Sequence, residues 1–135
     1  MDNLTIESSS KTPYCSLDSN GNLEFSGISM PEDAANFYFQ IMEWISDYYR
    51  KPSRETSIKV ALRYLNSTSS SMMMRIFLTL KRLQESGRTH INCTWYYEKE
   101  DQDMKEYVEE VARQANNIQF KLLPTDEIND EHLPK

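Results

Sequence analysis

The chain has 135 residues, of which 39% are hydrophobic and 11% aromatic, and these values favour one folded domain with a single core. Its net charge of −6 disfavours nucleic-acid binding and attraction to an anionic membrane surface, because both need a basic surface. No apolar run reaches the roughly 18–20 residues of a membrane span and no signal peptide is recognised, so we expect a cytoplasmic protein with protein partners.

The first third of the chain predicts a hairpin and a long helix. Short alternating segments flank Asp18-Ser19-Asn20-Gly21, and Asn-Gly between such segments is typical of a β-hairpin. Residues 4–6 indicate a further short strand. Residues 29–33 contain a proline and two acidic residues, which indicates a helix start, and apolar residues then recur at helical spacing to Tyr49. Lys51-Pro52 ends this helix.

The middle of the chain alternates strands and helices. Residues 57–65 and 89–97 alternate apolar and polar side chains, as half-buried strands do, and residues 118–123 indicate a last short strand. Helices are predicted from about residue 69 to 85 and from 102 to 115. Strands separated by helices imply a mainly parallel sheet. We therefore predict an α/β fold in which an N-terminal hairpin and mainly parallel βαβ strands form a mixed sheet that packs with three helices.

The end of the chain has a different composition. Residues 124–135 begin with Pro124, which ends the last predicted strand, and four of these twelve residues are acidic. We therefore predict a single domain over residues 1–123, followed by an acidic C-terminal tail over residues 124–135.

The most informative segment is a run of hydroxyl residues in Tyr64-Leu65-Asn66-Ser67-Thr68-Ser69-Ser70-Ser71-Met72-Met73-Met74. Five consecutive Ser and Thr residues lie where a strand ends and a helix begins. The first turn of a helix has unpaired N–H groups and a positive dipole end, which suit a covalent phosphate or a bound anion. Ordinary capping is the alternative, but one of the five residues would be enough for it. Capping alone does not explain five in a row, so the junction is a candidate site for phosphorylation or for anion binding.

Two sets of apolar side chains are too wide to be buried completely. Met72, Met73 and Met74 are about 100° apart on a helix, so at least one of them is expected to be exposed or half-exposed beside the hydroxyl run. Methionine adapts to binding partners, which makes a docking patch there plausible beside the alternative of an incidental exposure. A broad aromatic stripe on the first helix is expected to face a partner in part. It consists of Phe37, Phe39, Trp44, Tyr48 and Tyr49.

The remaining reactive residues do not indicate catalysis, a metal site or a cofactor. His90 and His132 have no neighbouring ligands at metal-binding spacing, and the acidic run 98–103 is typical of a solvated helix start. The chain has only three glycines and no Gly-rich phosphate loop. Cys15 and Cys93 lie far apart, so we expect both to be reduced and buried.

Four segments in the same order resemble the SiaC family of bacterial regulatory phosphoproteins, and the similarity extends over about residues 4–123. The resemblance implies a fold related to the STAS-type antagonists of anti-sigma factors. It also implies partner switching, in which a kinase phosphorylates the protein and a PPM-type phosphatase removes the phosphate. The segments are Lys11-Thr12-Pro13, Gly27-Ile28-Ser29-Met30-Pro31-Glu32-Asp33, Tyr64-Leu65-Asn66-Ser67-Thr68-Ser69-Ser70 and Trp95-Tyr96-Tyr97-Glu98.

The resemblance also implies a partner and a site. In the family the unphosphorylated form binds a target, which in the best-known system is a diguanylate cyclase whose cyclic di-GMP signal promotes biofilm formation. The family's acceptor is a threonine directly after Tyr-Leu/Phe-Asn. This chain has Ser67 there and Thr68 next, so both stay candidate acceptors. The expected partner-binding residues are Asn66, Ser69, Ser70, Met72 and Met74.

We therefore predict a non-enzymatic regulator that binds and controls a signalling protein when it is unphosphorylated. One alternative is a constitutive adaptor in which the hydroxyl run only caps the helix. Another is a small enzyme with an anion-binding loop at residues 66–71, which would need a base within hydrogen-bond reach of a nucleophile. The sequence offers no obvious base, because His90 falls at the wrong end of its strand.

Overall fold

A computed structural model describes residues 2–129, which form a six-stranded mixed sheet and three helices. The predicted architecture is therefore confirmed. The strands lie in the sheet in chain order. The first three strands pair antiparallel with one another, and from the third strand to the sixth each pair is parallel. In chain order the elements are β1 (Leu4–Ile6), β2 (Tyr14–Leu17), β3 (Asn22–Ser29), α1 (Ala34–Arg50), β4 (Glu55–Leu65), α2 (Ser67–Glu85), β5 (His90–Glu98), α3 (Gln102–Gln114) and β6 (Gln119–Thr125).

The three helices cover one face of the sheet. Alternate residues of β2 to β5 are buried on that face, and one hydrophobic core contains them together with residues of α1, α2 and α3. The register places polar side chains in a row across the opposite face. This row is Ser16, Glu24, Lys59, Thr94 and Lys121. Successive side chains of a strand point to opposite faces, so the sheet has one face covered by helices and one more polar face.

Two predicted helix starts lie at different residues in the structure. Strand β3 continues to Ser29, where it pairs with β4, and α1 begins only at Ala34 with Asp33 as its cap. Helix α2 begins at Ser67, two residues before the predicted start, because Asn66 supplies the cap. Asn caps a helix as well as Ser does, so the first three hydroxyl residues belong to the first helical turn.

Strand β6 passes through Pro124 and ends at Thr125, two residues beyond the predicted end. It is an edge strand, where a proline without an N–H group is tolerated. The first tail residues stay close to the domain, because Ile128 is buried and its N–H donates to Glu98 Oε2 at 2.9 Å. The rest of the predicted tail, including His132, lies outside the described residues.

Both cysteines are free and buried on the core side of the sheet, as predicted. Burial raises the pKa of Cys15 to about 12 and also raises the pKa of Cys93, because a thiolate is poorly solvated in the core. Both thiols therefore stay protonated and unreactive at neutral pH. In residues 2–129 no helix is long and apolar enough to cross a membrane.

Candidate functional site

The hydroxyl run forms the start of α2, directly after the carboxyl end of β4. Asn66 has an extended backbone and its side-chain Oδ1 accepts a hydrogen bond from the Ser69 N–H at 2.9 Å. The Asn66 N–H donates to the carbonyl oxygen of Ser29 at 3.0 Å, which fixes the junction to the end of β3. Because β3, β4 and β5 are parallel, the starts of all three helices lie at this edge of the sheet.

The two candidate acceptors are exposed at this start. Ser67 and Thr68 occupy the first two helical positions, and both are exposed to solvent. Among residues 2–129 we find no acceptor for their backbone N–H groups, as is usual at a helix start. The positive end of the helix dipole adds to these free donors. A dianionic group attached to either hydroxyl would therefore lie in solvent beside these donors.

The prediction that Ser69 contacts a partner is wrong for its side chain. Ser69 is fully buried, and its Oγ accepts a hydrogen bond from Ser29 Oγ at 2.8 Å. Ser70 is half-buried and its Oγ donates to the carbonyl oxygen of Asn66 at 3.1 Å. The hydroxyl run is thus divided by the helical repeat into exposed, half-buried and buried members.

The three methionines are distributed as the helical spacing predicts. Met73 is fully buried in the core, whereas Met72 and Met74 are half-buried. Both half-buried methionines line a shallow groove at the start of α2. The other residues of the groove are Ser70, Ser71, Arg75 and Tyr107. An adaptable apolar surface therefore lies within one to two turns of Ser67 and Thr68.

Tyr107 of α3 closes the side of this surface. Its hydroxyl donates to the carbonyl oxygen of Ser70 at 2.7 Å, and burial raises its pKa. A cavity of about 240 Å³ lies beside it. The cavity is lined by Arg63, Tyr64, Leu65, Ser70, Asp101, Asp103, Met104 and Tyr107. No local pattern in the sequence indicates that the Tyr107 hydroxyl reaches α2.

The cavity brings two carboxylates near Ser70, but it does not assemble a nucleophile and a base. Asp101 Oδ1 accepts the Met104 N–H at 3.0 Å as the cap of α3. In residues 2–129 no carboxylate or imidazole is hydrogen-bonded to the hydroxyl of Ser67, Thr68 or Ser70. His90 lies at the amino end of β5, at the opposite edge of the sheet, 3.6 Å from Glu55.

We found no group of His, Cys, Asp or Glu side chains in residues 2–129 that could hold a metal ion. The acidic segment between β5 and α3 starts that helix, with Asp101 as its cap and Asp103 in its first turn. Carboxylates at this position interact favourably with the helix dipole. The acidic segment therefore serves the start of α3.

Replacing Asn66 by alanine is expected to lower the free energy of unfolding by about 1 kcal/mol, the usual cost of losing an N-cap. The reason is that the Ser69 N–H loses its acceptor. Chemical denaturation measures the change, and Asn66→Asp is the matched control because it keeps an acceptor oxygen. Equal stability of the Asn66→Ala variant and the unmodified chain would contradict the assigned cap.

A family model and solved structures point to one family, and a curated relative is similar over nearly the whole chain. A family model described as SiaC family regulatory phosphoprotein matches residues 6–125. An uncharacterized protein of Pseudomonas aeruginosa strain UCBPP-PA14 is 27% identical over 128 residues, which cover 94% of this chain and 100% of that protein. The crystal structure of apo-SiaC from P. aeruginosa is similar with a TM-score of 0.82 and 26% identity, covering 91% of this chain and 99% of that one.

A further crystal structure contains the diguanylate cyclase SiaD in complex with its activator SiaC from P. aeruginosa. The present chain is similar to a chain of that structure with a TM-score of 0.82 and 25% identity. The similarity covers 90% of this chain and 99% of that chain. The likeness therefore extends over nearly the whole of both molecules.

Proposed function

The chain belongs to the SiaC family of regulatory phosphoproteins, and from this premise we propose that it is a non-enzymatic switch whose binding to a signalling protein is controlled by phosphorylation at the start of α2. The observation that supports the proposal best is the exposure of Ser67 and Thr68 at the first two positions of that helix. A kinase can reach these hydroxyls on the folded domain. The half-buried methionines beside them give the partner an apolar surface.

Ser67 is the preferred acceptor. It directly follows Tyr64-Leu65-Asn66, the position of the acceptor threonine in the family pattern that the chain resembles. Phosphate on Ser67 lies beside unpaired N–H groups and the positive end of the α2 dipole, which favour a dianion there. Thr68 shares the exposure and the dipole, but it is one position further along. An experiment on both residues is therefore needed.

The proposed partners are a kinase, a PPM-type phosphatase and a diguanylate cyclase. The cyclase is proposed because a family member of known structure is described as the activator of such an enzyme. In this scheme the unphosphorylated chain binds the cyclase in the cytoplasm and the phosphorylated chain does not. The physiological output would then be a change in cyclic di-GMP and in biofilm formation.

Incubation with a cell extract of the source organism and Mg-ATP is expected to add one phosphate, or about 80 Da, to the chain. Intact-mass measurement detects the addition, and fragmentation assigns it to a residue. The Ser67→Ala variant is expected to lose at least nine tenths of the phosphate, whereas Thr68→Ala keeps it. Both variants remove a hydroxyl from the same exposed turn, so each is the control for the other.

Other outcomes of this experiment decide between the alternatives. If only Thr68→Ala abolishes the addition, Thr68 is the acceptor and the switch is retained. If no phosphate is added to residues 67 and 68 under any condition, the constitutive adaptor is favoured over the switch. In that case the hydroxyl run serves only the capping of α2.

A further inference from the structure

Three buried hydroxyl groups join the start of α2 to α1. Ser29 Oγ donates to Ser69 Oγ at 2.8 Å and lies 2.7 Å from the hydroxyl oxygen of Tyr38. Because Ser29 has one hydroxyl proton and gives it to Ser69, Tyr38 must donate to Ser29. All three side chains are fully buried. We name Ser69, Ser29 and Tyr38 the carboxyl-edge relay.

Ser29 holds the chain on both sides of the candidate acceptors. Its carbonyl oxygen accepts the Asn66 N–H at 3.0 Å, and its hydroxyl donates to Ser69. Ser67 and Thr68 lie between these two attachments. We call residues 66–69 the acceptor turn. A change in its conformation therefore acts first on Ser29, and through it on Tyr38.

A phosphate on Ser67 competes for one of the bonds that hold this turn. A phosphate oxygen is a stronger acceptor than the neutral amide oxygen of Asn66, which now accepts the Ser69 N–H at 2.9 Å. We expect the phosphate to take that N–H, which would move Ser69 relative to Ser29. The relay then loses its optimal geometry, and no water replaces the lost bond cheaply in the core.

The far end of the relay lies under an exposed part of α1. Tyr38 contacts Phe37 edge to face at a centroid distance of 5.2 Å. The next residue, Phe39, is 61% exposed, the largest value among the exposed large hydrophobic residues of the described chain. Burial raises the pKa of Tyr38 to about 12, so its hydroxyl stays a donor at neutral pH.

We propose that Ser29 and Tyr38 couple phosphorylation of Ser67 to α1, so that the surface around Phe39 changes together with the acceptor turn. The inference rests on the proposed function in taking Ser67 as the modified residue. It makes Ser29 and Tyr38 positioning residues, since neither touches the phosphate. It also enlarges the regulated surface from α2 to the first turns of α1.

A second set of buried hydroxyl groups, at the amino ends of the parallel strands, serves as a matched control. There, Tyr48 of α1 is 2.7 Å from Thr56 Oγ1, which is 2.7 Å from Thr89 Oγ1, and all three side chains are buried. This second set also joins α1 to the sheet through hydroxyl groups. It does not include any residue of the acceptor turn. Breaking it should weaken the protein without uncoupling α1 from Ser67.

The test uses phosphoserine incorporated at position 67 during translation, so it needs no kinase. Hydrogen exchange of the amides of residues 35–42 is measured with and without the phosphate. We expect the phosphate to accelerate this exchange at least threefold in the otherwise unmodified chain and in Thr56→Val. In Ser29→Ala, where the link is missing, exchange is expected to be the same with and without phosphate.

Two results would overturn the coupling: unchanged exchange of α1 after phosphoserine incorporation, or a response that survives in Ser29→Ala. If Ser29→Ala does not fold, Tyr38→Phe takes its place, because it removes only the terminal hydroxyl. The outcome is independent of whether a cell extract phosphorylates the chain. Failure of the proposed switch and failure of the coupling are thus separate results.

Discussion

Phosphoserine at position 67 is expected to weaken binding of the candidate diguanylate cyclase about a hundredfold, whereas Ser67→Ala should bind as the unmodified chain does. A hundredfold change corresponds to about 2.7 kcal/mol. The reason is local, because the phosphate adds a charge of about −1.5 to −2 at an exposed turn beside the half-buried methionines. A dianion there cannot be transferred out of water against an apolar or acidic partner surface without a large cost.

Isothermal titration or surface-based kinetics with the candidate cyclase measures this effect. Ser67→Glu serves as a weaker mimic, with one negative charge in place of nearly two. Ser86→Glu is the matched control, since Ser86 is an exposed serine at the opposite end of α2. Equal affinities of the Ser67→Ala chain and the phosphoserine chain would remove the basis for a switch at this residue. A similar loss in Ser86→Glu would instead indicate a general effect of negative charge.

The sheet could be predicted from the sequence because its strands are buried on one side. In β5, and in β4 from Thr56 to Val60, buried residues alternate with more exposed ones, and this period gives a helix-covered face and a more polar face. The Asn-Gly pair likewise predicted the β2–β3 hairpin correctly. These are local signals, and each is read within about ten residues.

The details of the site depend on contacts that no local pattern contains. Ser69 is buried because Ser29, forty residues earlier, reaches it across the end of β3. Nothing distinguishes Ser69 from its serine neighbours in the sequence. The bond from the Tyr107 hydroxyl to the Ser70 carbonyl oxygen likewise depends on how α3 packs beside α2. The exposed members of the run were predicted, whereas its buried member required the tertiary structure.

Asn66 explains both the shifted helix start and the chemistry of the turn. The cap is supplied by an amide one residue earlier, so within residues 2–129 the hydroxyls of Ser67 and Thr68 make no capping bond, and both residues are exposed. Had a serine of the run been the cap, its hydroxyl would have been engaged with a backbone N–H group. Because Asn66 caps the helix, the hydroxyl oxygens of Ser67 and Thr68 lie exposed at the helix start.

Replacing Phe77 by alanine is expected to lower the free energy of unfolding by about 3–5 kcal/mol, the range typical of Phe→Ala in a packed core. Phe77 is fully buried in the middle of α2. Its ring lies 5.3 Å from that of Trp95 on β5 and 5.7 Å from that of Phe120 on β6. Truncation removes these contacts and leaves a cavity between the helix and the sheet. For a single domain, such a loss is a large fraction of the total stability.

Phe39→Ala removes the same atoms from an exposed position of α1, so it should change stability by no more than about 0.5 kcal/mol. Urea denaturation of both variants, compared at equal m-values, measures the difference. Similar midpoints for the two variants would mean that α2 is not held to the sheet through Phe77. The same comparison concerns the proposed switch, because Ser67 is exposed at the start of α2 only while α2 stays packed on the sheet. A strongly destabilised Phe77→Ala chain should therefore lose binding of the candidate cyclase in proportion to its unfolded fraction. Phe39→Ala instead tests the surface of α1 in a protein that remains folded.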